Sequence, residues 1–327
     1  MAAETETIPF EETELDVRAR SYAHHGIVFA ALAVLLLAAP FLVYPVFAMK
    51  VLCFALFASA FNLLLGYGGL LSFGHAAFFG MASYVSAYAA KSWGLTPELS
   101  ILLGTAVAVL LGTLIGAISI RRQGIYFAMV TLAFAQMVYF FALQARFTGG
   151  EDGIQAVPRG WLFGVIHLGD DRTLYYIVAL VFFVGLLIIH RVIHSPFGQI
   201  MKAIRENEPR AISLGYEANR YKLIVFMLSA GLSGLAGAVK AIVFQLASLT
   251  DVHWTMSGEV VLMTLIGGMG TVFGPMVGAA VVVTMQNYLA AFGAWVTIIQ
   301  GVIFVACVLL FREGIVGLLA RLLRRPL

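Results

Sequence analysis

Stretches of about 20 consecutive apolar residues recur along the chain, and that recurrence leaves few folds open. They occupy roughly 26–45, 46–65, 98–119, 124–145, 173–193, 222–248 and 294–311; a helix of about 20 apolar residues spans the hydrocarbon of a bilayer. The length of 327 residues would by itself suggest about two soluble domains. Composition overrules it. Hydrophobic residues make up 61% and charged residues 11%, against roughly 45–50% and 25% in globular proteins, and mean hydropathy is +0.95. A soluble protein of this size has too little interior to hide so much apolar surface. A soluble enzyme, a disordered chain and a disulfide-stapled secreted domain are excluded. The chain reads as an all-α polytopic integral membrane protein.

Two further apolar regions are interrupted by glycine. Gly66 to His75 (GYGGLLSFGH) leads into a run to about residue 90, and 259–292 is broken at Gly267 to Pro275 (GGMGTVFGP). The expectation is therefore about 8 transmembrane helices plus glycine-broken or re-entrant segments. Basic residues set the direction. With a cytosolic N-terminus, fourteen fall on the cytosolic side (Arg18, Arg20, Arg121, Arg122, Arg191, Lys202, Arg205, Arg210, Arg220, Lys222, Arg312, Arg321, Arg324, Arg325). Five fall outside (Lys50, Lys91, Arg146, Arg159, Arg172), and Lys240 lies within a span. Both termini are thus expected in the cytosol. The acidic stretch 1–25 is a leader, 26–312 the transmembrane domain and 313–327 a basic tail.

Parity constrains the second broken region. Loop 194–221 and the tail are both basic, so an even number of crossings joins them, and 222–248 and 294–311 already supply two. The stretch 259–292 must dip in and return, or cross twice. Its first arm, Glu259 to Ile266, would be only about 12 Å of helix, which favours a re-entrant or broken hairpin. Irregular backbone at membrane depth survives only where protein or a watery cavity satisfies it. Glycine-interrupted segments in both halves of a chain, entering from opposite sides as an inverted repeat requires, point to a transport pathway. Gly68, Gly69, Ser72, His75, Gly267, Gly268 and Gly270 are its candidates. The alternative, that these glycines only allow close helix packing, leaves the parity unexplained.

Other chemistry is sparse. Cys53 and Cys307 lie inside apolar runs and read as small buried hydrophobes. No metal-ligand spacing or nucleophile–base pair stands out, the net charge of +3 sits at segment ends rather than on a nucleic-acid-binding face, and no Gly-x-x-x-x-Gly-Lys-Ser/Thr loop occurs. Lys240 stands roughly midway in its span with no partner that the sequence names. Glu259 is expected near the outer mouth as a solvated cap, and Asn62, Gln136, Gln245, Gln286 and Asn287 as residues joining helices. Glu151 and Asp152, adjacent carboxylates bounded by glycines, suit a solvated turn or the docking of an external protein better than a metal.

The longest basic loop, His190 to Lys222, carries an amphipathic helix pair. Ser195-Pro196 is a cap followed by a first-turn proline. Phe197, Ile200, Met201 and Ile204 form one stripe, with Lys202, Arg205, Glu206 and Glu208 on the other face. Pro209 breaks the pattern, and Ala211, Ile212 and Leu214 resume it before Gly215. From the residues alone this pair suits a lipid surface, an ordinary solvated loop or a groove on another protein.

The core of that loop (SPFGQIMKAIRENEPRAISLGY) resembles the cytosolic coupling loop of ABC importer permeases, specifically the branched-chain amino acid permease family, LivM type. Gly66 to Gly80 (GYGGLLSFGHAAFFG), Gly149 to Ile154 (GGEDGI) and Gly267 to Gly278 (GGMGTVFGPMVG) agree in order, so the resemblance covers about residues 46 to 315. Where importer permeases in general have Glu-Ala-Ala, this chain has Pro209-Arg210-Ala211, leaving Glu206 and Glu208 as candidates for the glutamate's role. The resemblance implies a permease subunit of an ATP-driven importer for branched-chain or related hydrophobic amino acids, in a bacterial inner membrane. It further implies that Phe197, Ile200, Met201, Ala203, Ile204, Arg205, Glu206, Glu208, Ala211 and Gly215 form the ATPase-coupling element. The partners would be two ABC ATPase subunits carrying ATP and Mg, a second permease subunit of LivH type and a periplasmic solute-binding protein. This chain itself would bind no cofactor and catalyse no reaction. Related permeases for urea, short amides or another small organic solute are the nearest alternative, and a self-contained secondary transporter or channel the next.

Overall fold

In the computed structural model the described residues are 26, 28–289, 295, 298–299, 301–302, 305 and 314–317. The leader 1–25, Cys307 and most of 294–311 and 313–327 lie outside them. Each apolar run within the described part becomes a helix. They are α1 (Val28–Leu42), α2 (Pro45–Asn62), α3 (His75–Ser92), α4 (Pro97–Ser119), α5 (Ile125–Gln144) and α6 (Asp171–Ile193). After them come α7 (Pro196–Glu206), α8 (Glu208–Ser213), α9 (Ala218–Phe244), α10 (Trp254–Gly267) and α11 (Gly274–Leu289). Among the described residues, α2 with its continuation to Tyr67, α4, α5, α6 and α9 are long and apolar enough to cross a membrane. The chain is an all-α polytopic membrane protein; among the described residues its strands are limited to two short antiparallel ribbons, β1 (Ile154–Gln155) with β4 (Leu246–Ala247) and β2 (Trp161–Leu162) with β3 (Ile166–His167).

Helices α2, α3 and α9 form the buried centre, and α4 and α5 expose most of their length. Small residues bring the central helices together, as expected where lipid tails supply no hydrophobic contrast. A Cβ on Gly237 of α9 would land on the Phe79 carbonyl of α3, and one on Gly234 would meet Ala108 of α4. Leu99, Leu102, Leu110, Leu114 and Ile118 line the outward face of α4.

The bundle has two ends: one carries α7–α8, the other the β1–β4 ribbon. Helix α2 descends towards the α7–α8 end and closes in a π-helical turn, Leu63–Tyr67. The chain then doubles back as irregular segment 68–74, and α3 starts inside the bundle. His75 lies against Ser229, about 16 Å of rise into α9. Helix α9 climbs to the ribbon end, and there the chain doubles back again. Segment 245–253 re-enters until Val252 packs on Gly80 of α3, about 18 Å of rise below that helix's outer end. Helix α10 continues towards the α7–α8 end.

The two halves therefore run oppositely, but the second inward break differs from expectation: it is 245–253, which contains no glycine, not Gly267 to Pro275. The latter is the turn between α10 and α11, and Gly270 meets Asn62 there. The hairpin is also longer than expected. Helix α10 begins at Trp254 instead of Glu259, so α10 and α11 run between the two levels rather than dipping shallowly from one side.

Candidate functional site

Segment 68–74 has part of its polar backbone satisfied by side chains from distant helices. At 68–74, Thr131 of α5 accepts from Phe73 N at 3.1 Å. Ser257 of α10 donates to the Phe73 carbonyl at 2.8 Å and accepts from Ala76 N at 2.9 Å. Ser72 accepts from Gly74 N at 3.1 Å. His75 is fully buried among Phe61, Phe78 and Phe226. Its Nε2 is 2.8 Å from Ser229 Oγ, which donates to the Ala60 carbonyl at 2.6 Å. The hydroxyl has one proton, so Nε2 donates to it, and Nδ1 is left without a partner. His75 thus ties α3 to α9 and, through Ser229, to α2. The sequence did not single out Thr131, Ser229 or Ser257, because a hydroxyl in an apolar helix can equally bond its own backbone.

Segment 245–253 is held by charge. Lys240 Nζ donates to Asp251 Oδ2 at 2.6 Å, with side chains only 10% and 4% exposed. Asp251 also accepts from Ser248 N at 3.2 Å. Lys240 is therefore one turn from the end of α9, not midway, and its partner lies in the loop. Gln245 adopts the left-handed conformation (φ 54°) and donates to the Val157 carbonyl at 3.2 Å, tying the end of α9 to a loop rather than to another helix. Glu259 is half-buried on α10 and faces Gln286 of α11 and Lys50 of α2, so it is not a solvated cap. Glu151 and Asp152 are exposed in a 3-10 turn beside β1.

At the opposite end α7 grips the π turn. Met201 packs on Gly68, the Lys202 ammonium lies 5.7 Å over the Tyr67 ring, and Arg205 donates to the Gly66 carbonyl while its stem covers Gly69. The turn between α10 and α11 closes against the same place. Asn62 donates to the Thr271 carbonyl at 2.8 Å and accepts from Gly270 N at 3.0 Å. Gly66 must be glycine here: a Cβ would collide with the Asn62 side chain and stand 2.7 Å from Gly270 N. Gly69 and Gly270 have φ of 69° and 76°, a region that favours glycine. Gly267 is a close-packing residue, its missing Cβ leaving room for the Gly274 carbonyl, and Gly268 (φ 121°) caps α10.

The amphipathic pair forms as its sequence predicts, with one shift. Ser195 accepts from Gly198 N at 3.3 Å, but the break comes at Asn207, which caps α8 by accepting from Arg210 N at 3.0 Å, and Pro209 sits in the first turn of α8. The apolar stripe divides. Met201, Ile204 and Ala211 are buried within the chain, and Phe197 and Ile200 line a groove of about 560 Å³ with Tyr216 and Tyr221. Ala203, Glu206 and Gly215 are exposed, as are Ile212, Leu214 and Tyr216. Glu208 pairs with Lys222 of α9 at 2.6 Å and accepts from Gln123 at 2.9 Å, beside a cleft of about 680 Å³ that reaches Arg121 and Arg220.

A helical membrane domain with two oppositely entering irregular segments, and a helix pair fastened to one end of the bundle, defines a permease-type transport component. Residues 44–308 match the family model described as branched-chain amino acid transport system / permease component, and the chain belongs to that family. It is 29% identical over 277 residues to the high-affinity branched-chain amino acid transport system permease protein LivM of Salmonella typhimurium, covering 78% of this chain and 65% of the relative. The Escherichia coli protein of the same name is 28% identical over 311 residues, covering 87% and 73%. The ribose import permease protein RbsC of Bacillus subtilis is 27% identical over 195 residues, covering 55% and 58%. No solved structure matches. As a member of a permease family the chain is a transport component rather than an enzyme.

Proposed function

We propose that this chain is the LivM-type permease subunit of an ATP-driven importer of branched-chain or related hydrophobic amino acids. It would lie in a bacterial inner membrane with the α7–α8 end and both termini in the cytosol. Two ABC ATPase subunits bind ATP and Mg, a LivH-type permease is the second membrane subunit, and a periplasmic binding protein delivers substrate at the ribbon end, where Glu151 and Asp152 are exposed. The observation that carries this reading is the division of the α7–α8 surface. Met201, Ile204 and Arg205 fasten the element to the bundle, while Ile212, Leu214 and Tyr216 remain exposed at its tip. A helix pair fixed on one side and apolar on the other suits helix-in-groove contact with a partner. Family membership and the LivM relatives support the substrate class.

Gentle extraction of the tagged chain tests the reading. An ATPase subunit is expected to co-purify and to be lost in the Ile212→Asp/Leu214→Asp variant, with the other permease subunit retained. The exposed tip is the informative place for charges, because Ile204 is buried and a charge there would disrupt the chain itself. A chain that purifies alone and transports leucine in liposomes without ATP would overturn the proposal in favour of a secondary transporter.

A further inference from the structure

The α7–α8 end holds a contact between three segments that are far apart in sequence. The π turn of α2 offers the Gly66 carbonyl, α7 reaches it with Arg205, and the α10–α11 turn is bound to Asn62 one helical turn away. The Arg205 guanidinium also faces Gly270, 3.9 Å from where a Cβ on that residue would stand, so one side chain of α7 lies beside both glycine-rich turns. Between these turns the backbones of Gly66 and Gly270 come close, and Asn62 is the side chain that bridges them. A π turn is a common site of functional bending, because it interrupts the regular ladder.

Accepting that ATPases act on α7–α8, we infer that Arg205 and Asn62 form a latch between that element and the α10–α11 turn. Arg205 is a positioning residue. While it holds Gly66, α7 and α2 move together, and Asn62 keeps the turn at 268–273 shut on the π turn. When the ATPases draw α7 away, the guanidinium leaves the Gly66 carbonyl and the turn separates from α2. Arg205→Met retains the stem over Gly69 and loses the charged donor, and Arg205→Lys retains a donor on a flexible stem.

The test uses the full complex with its ATPases and Val272→Cys as reporter, in a chain whose Cys53 and Cys307 are replaced by serine. Val272 is 6% exposed in the turn. Maleimide labelling of the introduced thiol is expected to rise severalfold when the ATPases are trapped with ATP and vanadate. In Arg205→Met that response should vanish, Arg205→Lys should restore part of it, and ATP hydrolysed per leucine imported should rise about tenfold, the scale of one charge-assisted hydrogen bond. Asn62→Leu should leave the reporter thiol reactive without nucleotide. Labelling that follows the nucleotide equally in the parent chain and in Arg205→Met would overturn the latch, and so would import and hydrolysis falling in proportion. If Asn62→Leu does not assemble, Arg205→Met alone decides. A wild-type chain that recruits no ATPase would instead overturn the function on which the latch rests.

Discussion

Lys240→Met is expected to remove about 3–5 kcal/mol of stability, the usual result of stripping one partner from a buried ion pair. Asp251 would be left 4% exposed with only Ser248 N to balance its charge, and segment 245–253 would lose its hold beneath α3. Thermal unfolding of the detergent-solubilised chain reads the effect. The double variant Lys240→Met/Asp251→Leu should recover most of the loss, because an apolar replacement of a buried pair is often neutral or better. Recovery should fall short of wild type, since Ser248 N then lacks its acceptor. A Lys240→Met protein as stable as wild type, or a double variant no better than the single, would show that the pair does not pin the segment.

Two glycines on α10 should behave oppositely when each becomes alanine. At Gly267 the added methyl would land on the Gly274 carbonyl and 3.0 Å from Pro275 N. Neither backbone group can rotate aside, so the hairpin must open, at about 1–3 kcal/mol for overpacking of this kind. A Cβ at Gly258 would have no heavy atom within 4 Å beyond its chain neighbours and its own helix backbone, and alanine should add up to about 1 kcal/mol of helix stability. Melting temperatures of the two variants provide the comparison; equal shifts would mean that the α10–α11 contact is looser than described.

Much of the architecture was legible from pattern alone. Apolar runs marked α1, α2, α4, α5, α6 and α9 to within a few residues, and Ser195-Pro196 marked the start of α7, because span length and capping are local physics. The second inward break was not legible. Glycine was the signal sought, yet segment 245–253 holds its shape through the Lys240–Asp251 pair and the pairing of β4 with β1, which only tertiary structure creates. The glycines at Gly267, Gly274 and Gly278 marked a close helix hairpin instead. Periodicity likewise found the stripe Phe197, Ile200, Met201 and Ile204 but not its direction: an apolar face can turn towards its own bundle or towards another protein, and here Met201 and Ile204 turn inward.

The partners of segment 68–74 have a consequence for synthesis. Thr131 is made soon after the segment it supports, but Ser257, which bonds the Phe73 carbonyl, follows that residue by 184 residues. At 5–20 residues per second, roughly 10–40 s pass before the ribosome delivers it. Throughout that interval the first half of the chain has carbonyl and amide groups at membrane depth that lack this partner, and hydrocarbon cannot satisfy them. Until α10 is made, this stretch depends on water, the translocon or other protein to satisfy those groups. Insertion of the amino-terminal half becomes final only when the carboxy-terminal half arrives.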